Sequence, residues 1–205
     1  MGNELEASQI QSRLERLADA FERHGIAVRD SLLPGASDAE LDVVEAELGV
    51  VLPQAYRALY TWSAGCSDPE GEAPFLFRDN AFLELNEVVQ RRQELVEAYQ
   101  EQTYPGDVGA FGMNGVDLTT TAPFAETEGA VYVVACGPHT LASASQNPVI
   151  SVFEGIDVYF NSIESMLDTC IEWVEQEGYD RYSLAPDEKG PWLRHNPGVF
   201  GWSDS

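Results

Sequence analysis

The chain has 205 residues, with 35 acidic against 11 basic side chains and a formal net charge of -24. That length fits one domain, or one domain with an appendage, and 44% hydrophobic residues including four Trp, eight Tyr and nine Phe suffice for a core. The acidic balance repels nucleic acid and anionic membranes, and no apolar run is long enough to span a bilayer.

The first residues, MGNELEASQIQ, show no positive segment followed by an apolar core, so no secretory leader is expected. Glu6 stands where a myristoylation signal needs Ser or Thr. Residues 4–24 predict a helix with Leu5, Leu14, Leu17, Ala18 and Phe21 on one side, ended by Gly25 after His24. The next stretch, residues 32–65, reads LLPGASDAELDVVEAELGVVLPQAYRALYTWSAG. Ser37 and Glu40 have the spacing of a capping box, and Leu41, Val44 and Leu48 then make one apolar helical face. Gly49 stops that helix, because glycine tolerates the left-handed cap conformation. Pro53 suits the first position of a second helix, with Tyr56, Leu59 and Tyr60 as its buried stripe and Trp62 at its end. Leu48, Leu52, Tyr56, Leu59 and Leu167 are expected in the core.

Residues 63–74 form a Gly/Pro/Asp-rich loop. Short strands are predicted at 75–77 and 81–85. Asn86 then caps a helix reaching about residue 100, with Val88, Val89, Leu95, Val96 and Tyr99 inward. The Gly-rich residues 103–114 predict no element. Strands follow at 115–119, 130–135, 149–153 and 157–160, with a turn at 126–129 and a hairpin centred on Gly155. Strands in succession joined by tight turns predict an antiparallel sheet. Residues 162–176 predict a closing helix, with Ile163, Met166, Leu167, Cys170, Ile171 and Val174 on one face and Asp168, Glu172 and Glu175 on the other. The tail carries Tyr179, Tyr182, Trp192, Phe200 and Trp202, too many aromatics for a free linker. The expected organisation is one domain over residues 1–178 and a tail, 179–205, that packs back on it.

Charge distribution says more than its total. No Lys or Arg occurs between Arg92 and Arg181, a stretch of 88 residues holding fifteen carboxylates. Local salt bridges are not expected to neutralise them, so one face is expected to attract a basic partner and speed its association. Asp117, Glu126 and Glu128, at strand ends and turns, are the first candidate contacts, helped by Asp68, Glu70 and Glu72 of the 63–74 loop. Trp62 beside that loop suits an interface anchor, if it is not buried in the core.

Catalytic motifs are missing from the sequence. There is no G-x-S-x-G elbow, no phosphate-cradling glycine loop followed by Lys, and the single lysine is Lys189. Cys136 and His139 are half of a metal-ligand pattern without a second pair, so no metal and no cofactor are expected. Three cysteines without paired spacing fit a reducing, cytoplasmic setting. Cys170 is expected in the core and Cys66 in an exposed loop.

Leu48, Gly49, Leu52, Pro53, Tyr56, Leu59, Tyr60 and Gly65 resemble the "lg..LP..y..ly...nG" pattern of the SUKH superfamily. This is a family of bacterial immunity proteins that also includes a yeast cell-wall synthesis regulator. Residues 82–89, FLELNEVV, are similar to the family's strand-then-helix step, and residues 158–160 running into SIESML, 162–167, are similar to its closing "SFeeFL" helix start. The resemblance covers residues 14–177. It implies an α+β fold, a mostly antiparallel sheet of about four to six strands with helices packed on one side. It implies immunity, the binding and occlusion without catalysis of a cognate toxin domain, expected to be basic, with a nuclease as one candidate. A regulatory protein-binding scaffold is the alternative that the yeast relative implies, and an enzyme with clustered carboxylates is the third class.

Overall fold

The structure, a computed structural model, describes residues 2–67, 75–78, 80–102, 116–127, 129–139, 146–153, 155–177 and 189–199. Helix α1, Gly2–Arg23, is followed by a 3-10 turn, Val28–Ser31, and then by α2, Asp38–Leu48, and α3, Gln54–Trp62. A two-residue strand β1, Ala81–Phe82, leads through a 3-10 turn, Leu85–Glu87, into α4, Val88–Gln102. Strands β2, Thr121–Glu126, β3, Val131–Ala135, β4, Val149–Val152, and β5, Ile156–Phe160, precede α5, Ile163–Glu177, and a short α6, Lys189–His195. The five strands lie in the order β1-β2-β3-β4-β5, every pair antiparallel.

The local signals for α2 act as expected. Ser37 Oγ accepts from the Glu40 N–H at 3.3 Å and Glu40 Oε2 accepts from the Ser37 N–H at 2.8 Å, so both halves of the capping box are made. Gly49 ends the helix at φ +66°. Gly65, the last residue of the motif, carries a second constraint. Its φ is +116°, and a Cβ there would lie 2.6 Å from both the Glu84 Cα and the Leu83 carbonyl oxygen. The chain after α3 can pass against the segment following β1 only without a side chain.

The sheet is covered on both faces. The main core gathers Leu14, Leu17 and Phe21 of α1, Tyr56 and Leu59 of α3, Met166, Leu167 and Cys170 of α5, and the Phe124, Tyr132 and Phe160 side of the sheet. A second cluster holds Val131, Val133, Ile150 and Ile156 from the opposite side, closed by Leu95, Val96 and Tyr99 of α4. Helices α1, α3 and α5 thus form the expected layer, and α4 adds a smaller one beyond the sheet. Leu48, Leu52, Tyr56, Leu59 and Leu167 are all buried.

Two expected strands are absent. Residues 75–77 make no strand: Phe77 and Asn80 form an isolated bridge around Arg78, which sits at φ +65°, so the chain turns back at once. Residue 115 lies outside the described residues, and Leu118–Thr120 is a 3-10 turn capped by Asp117, which accepts from the Thr119 N–H at 2.9 Å. The strand begins at Thr121 instead and runs through Pro123. It tolerates the proline because β1 pairs only with Ala125 and Glu126, and the register against β3 shifts between Pro123 and Ala125.

Residues 189–199 pack on the domain. Trp192 is fully buried and its Nε1–H donates to the Tyr159 carbonyl at 2.7 Å. The buried Asn196 accepts from the Asn161 N–H at 2.9 Å and donates to Thr169 Oγ1 at 3.1 Å. Tyr179, Tyr182, Phe200 and Trp202 lie outside the described residues.

Leu59 has no exposed surface while Val51 is 75% exposed. Leu59→Ala is therefore expected to cost about 2–5 kcal/mol in denaturant unfolding, and Val51→Ala less than about 0.5 kcal/mol. A loss below about 1 kcal/mol at Leu59 would contradict this packing of α3.

Candidate functional site

At least five of the carboxylates beyond Arg92 meet basic side chains, most of them from arginines distant in the chain rather than from local ones. Arg13 Nε and Nη2 donate to Asp168 at 2.9 and 3.2 Å. Arg16 and Arg23 reach Glu175 at 2.7 and 3.1 Å. Glu172 is held by Arg194 and by His195 at 2.8 Å. Arg91 pairs with Glu126 at 2.6 Å and with Glu94 at 3.1 Å. Most of these arginines come from α1 and α6, far away in sequence. They tie the outer face of α5 to α1 on one side and to α6 on the other.

The N-terminal third shows the same economy of cations. Arg29 meets Glu15 and Asp19 at 2.8 Å and Glu22 at 2.7 Å. Arg57 meets Asp38 at 3.2 Å, Asp42 at 2.9 Å and Glu45 at 3.5 Å. Each cation is outnumbered three to one, so these clusters remain negative. Neither arginine stood out in the sequence. The carboxylate spacings on α1 and α2 were the available signal, because they place acids on one helical stripe.

Of the sequence-derived contact residues, Trp62, Asp117 and Glu126 fall within the described structure. Asp68, Glu70, Glu72 and Glu128 lie outside it. Trp62 is half-buried against the main core, and its Nε1–H donates to Glu15 Oε1 at 2.6 Å. Hydrogen bonds from Arg29 and Trp62 hold the Glu15 carboxyl below the usual range. The indole is thus joined to the Arg29 cluster on α1.

Asp117 is exposed, and its hydrogen bonds from Thr119 keep its pKa low. Glu126 ends β2 beside Arg91. Asp117 precedes β2 and Glu126 closes it, so about 17 Å of strand rise separates the two positions. Helix α4 bridges that span. Arg91 reaches Glu126, while Arg92 donates to the Leu48 carbonyl at 2.6 Å and the Thr119 carbonyl at 2.9 Å. These acids therefore line a rim and do not converge on one point.

The three cysteines are free thiols. Cys170 is in the core as expected, but Cys66 is also buried, contrary to the expected exposed loop. It forms a bridge with Leu32 and its N–H donates to the Phe82 carbonyl at 3.0 Å, which ties it into the packed segment beside β1. Burial pushes the Cys136 thiol up to about 12, the opposite of an activated nucleophile. His139 Nε2 lies 3.1 Å from the Gln146 carbonyl oxygen. Among the described residues no group of three or more His, Cys, Asp or Glu side chains is placed to hold a metal ion, and no helix is long and apolar enough to cross a membrane.

Ion pairing holds both Glu172 and Glu175 below the ordinary value of 4.5. Their stabilising contribution is therefore complete above that value and is lost as pH falls through the lowered native pKa values. In thermal melts on acidification, Glu175→Gln is expected to lose less Tm between neutral pH and the acid limb than the parent. Parallel curves for the two would remove the α1–α5 ion pairs from the stability account.

A comparison with protein-family models matches the SMI1 / KNR4 family (SUKH-1) over residues 35–169, more than half of the chain. No curated protein matches it.

Proposed function

The chain belongs to the SMI1 / KNR4 family (SUKH-1), and on that premise we propose that it is an immunity protein of the cytoplasm, binding and occluding a cognate toxin domain. The observation that carries the reading is family membership joined to charge. The formal net charge is -24, and Arg29 and Arg57 each serve a cluster of three carboxylates that stays negative. A partner that covers such a surface is basic, as a toxin that handles nucleic acid must be. Occlusion needs no turnover. It needs a negative, preformed face that competes with the toxin's own substrate.

In this reading Trp62 anchors the contact, and Asp68, Glu70, Glu72, Asp117, Glu126 and Glu128 supply its negative charge. Asp117 is the most available of those described, since it is exposed and stays ionised. Glu126 would exchange its Arg91 partner for a cation of the toxin.

Co-expression with the product of the adjacent gene, followed by affinity capture, tests the reading. The expected result is a stoichiometric complex that suppresses toxicity. Capture of a partner without toxicity would favour the regulatory scaffold instead. Replacing Asp117, Glu126 and Glu128 by Asn or Gln is expected to slow association by roughly tenfold at low ionic strength and to flatten its salt dependence. An unchanged on-rate in that triple variant removes charge steering by these residues.

A further inference from the structure

Between α2 and the segment after β1 lies an open groove of about 620 Å3. Its apolar lining includes Leu33, Pro34, Val43, Val44, Ala64 and Leu85, and Val43 is 56% exposed. The floor is held rigidly. Ala36 N–H donates to the Tyr60 carbonyl at 2.8 Å, Leu33 N–H to Gly65 at 2.9 Å, Ala64 N–H to Pro34 at 3.2 Å and Leu85 N–H to Ala64 at 2.9 Å. Gly35 lets this strap lie against the end of α3: a Cβ there would meet the Thr61 carbonyl oxygen at 2.0 Å. The groove is therefore preformed, and these four backbone donors are already used.

The rim is acidic on both walls. Glu40 and Glu84 line it directly. The capping hydrogen bonds from Ser37 keep Glu40 ionised. Glu47 continues the Glu40–Val43 stripe of α2 at helical spacing. Glu84 and Glu87 have no ion pair among the described residues, and partial burial together with the charges of Glu84 and Glu126 raises the Glu87 pKa. By contrast Asp38, Asp42 and Glu45, on the other side of α2, are gathered by Arg57. Helix α2 thus turns the acids that share Arg57 away from the groove and Glu40, which has no ion pair among the described residues, toward it.

We infer that this groove docks an amphipathic segment of the partner, apolar side chains on Val43, Val44 and Leu85 and Lys or Arg against Glu40, Glu84 and Glu87. The inference rests on the reading of the chain as a binder of a basic toxin and specifies where the apolar part of that contact sits. A small molecule is the poorer occupant, because such sites use a few convergent polar groups for orientation and the floor's donors named above are already paired. A helix or strand laying one apolar face into a groove needs no such groups, and its flanking cations relieve the charge on the rim.

The test uses a synthetic helical peptide with Leu on one face and Lys on the other, titrated into the isotopically labelled full chain. Control peptides carry Glu in place of Lys, or Ser in place of Leu. Saturable binding of the Leu/Lys peptide alone is expected, with shift changes centred on Val43, Val44, Ala64 and Leu85. Val43→Gln, at an exposed position and so with an unchanged melting curve, is expected to weaken it by about tenfold. Glu84→Gln with Glu87→Gln is expected to flatten the salt dependence. Absence of saturable binding, or shifts spread over the Glu15, Asp19 and Glu22 face instead, overturns the inference. If a co-expressed toxin is captured with undiminished affinity by a chain carrying Val43→Gln, Glu84→Gln and Glu87→Gln, the groove is overturned while the immunity reading stands. If no toxin is captured but the peptide maps to the groove, the docking surface stands without that reading.

Discussion

Two buried phenols fix how the helical layer meets the sheet. Tyr56 Oη donates to the Pro123 carbonyl at 2.7 Å and Tyr60 Oη to the Leu83 carbonyl at 3.1 Å. Both side chains are fully buried, and burial drives both phenol pKa values upward. A buried hydroxyl must find an acceptor or cost about 1–3 kcal/mol, so the irregular backbone at Pro123 and beside β1 has a use. Their rings touch at 4.9 Å and continue through Phe82, Phe77 and Phe124 to Tyr132. The register of α3 on the sheet is thereby set by both geometry and volume, and the position of α2 and its groove follows from α3.

The electrostatics obey a similar constraint of scarcity. With 11 basic residues against 35 acidic ones, cations go where they join elements distant in the chain. Arg13 and Asp168 are 155 positions apart, Arg16 and Glu175 are 159 apart. These pairs are half-exposed, and each contributes little by itself. Their effect is to pin α1 and α6 on either side of α5 while leaving the excess negative charge elsewhere. A surface built this way is selective by omission: the places where no arginine was spent are the places that still attract one.

What the sequence made legible was local. The Ser37–Glu40 box, the Gly49 stop and the stripes of α1, α3 and α5 are written in spacings of three and four residues, and they fold as written except at Leu5, which is 63% exposed at the start of α1. Strand β2 was hidden because Pro123 argues against a strand, and only the shortness of β1 and the register shift make room for it. Residues 115–119 look extended by composition, but Asp117 finds a nearer bond in the Thr119 N–H and closes a 3-10 turn. The charge pairing could not be foreseen, since it joins residues whose separation in the chain says nothing about distance in space. For the same reason the candidate contact residues were legible as a kind of chemistry and not as a place. Trp62 was recognisable as an amphipathic ring, but its bond to Glu15 crosses 47 positions.

The bond from Trp192 to the Tyr159 carbonyl has a meaning in time as well as in space. Strand β5 is the last of the sheet, and its outer side is the one that a stray strand would pair with. The other outer strand, β1, is only two residues long. Trp192 and Asn196 occupy hydrogen-bonding positions at and just after β5. Trp192 follows Phe160 by 32 residues. At synthesis rates of about 5–20 residues per second, that leaves an interval of roughly 2–6 s in which β5 exists without its cover. During that interval the outer side of β5 is open to pairing with another chain. The segment carrying Trp192 and Asn196 is less an ornament of the folded domain than the step that ends the exposure of β5 to its own copies.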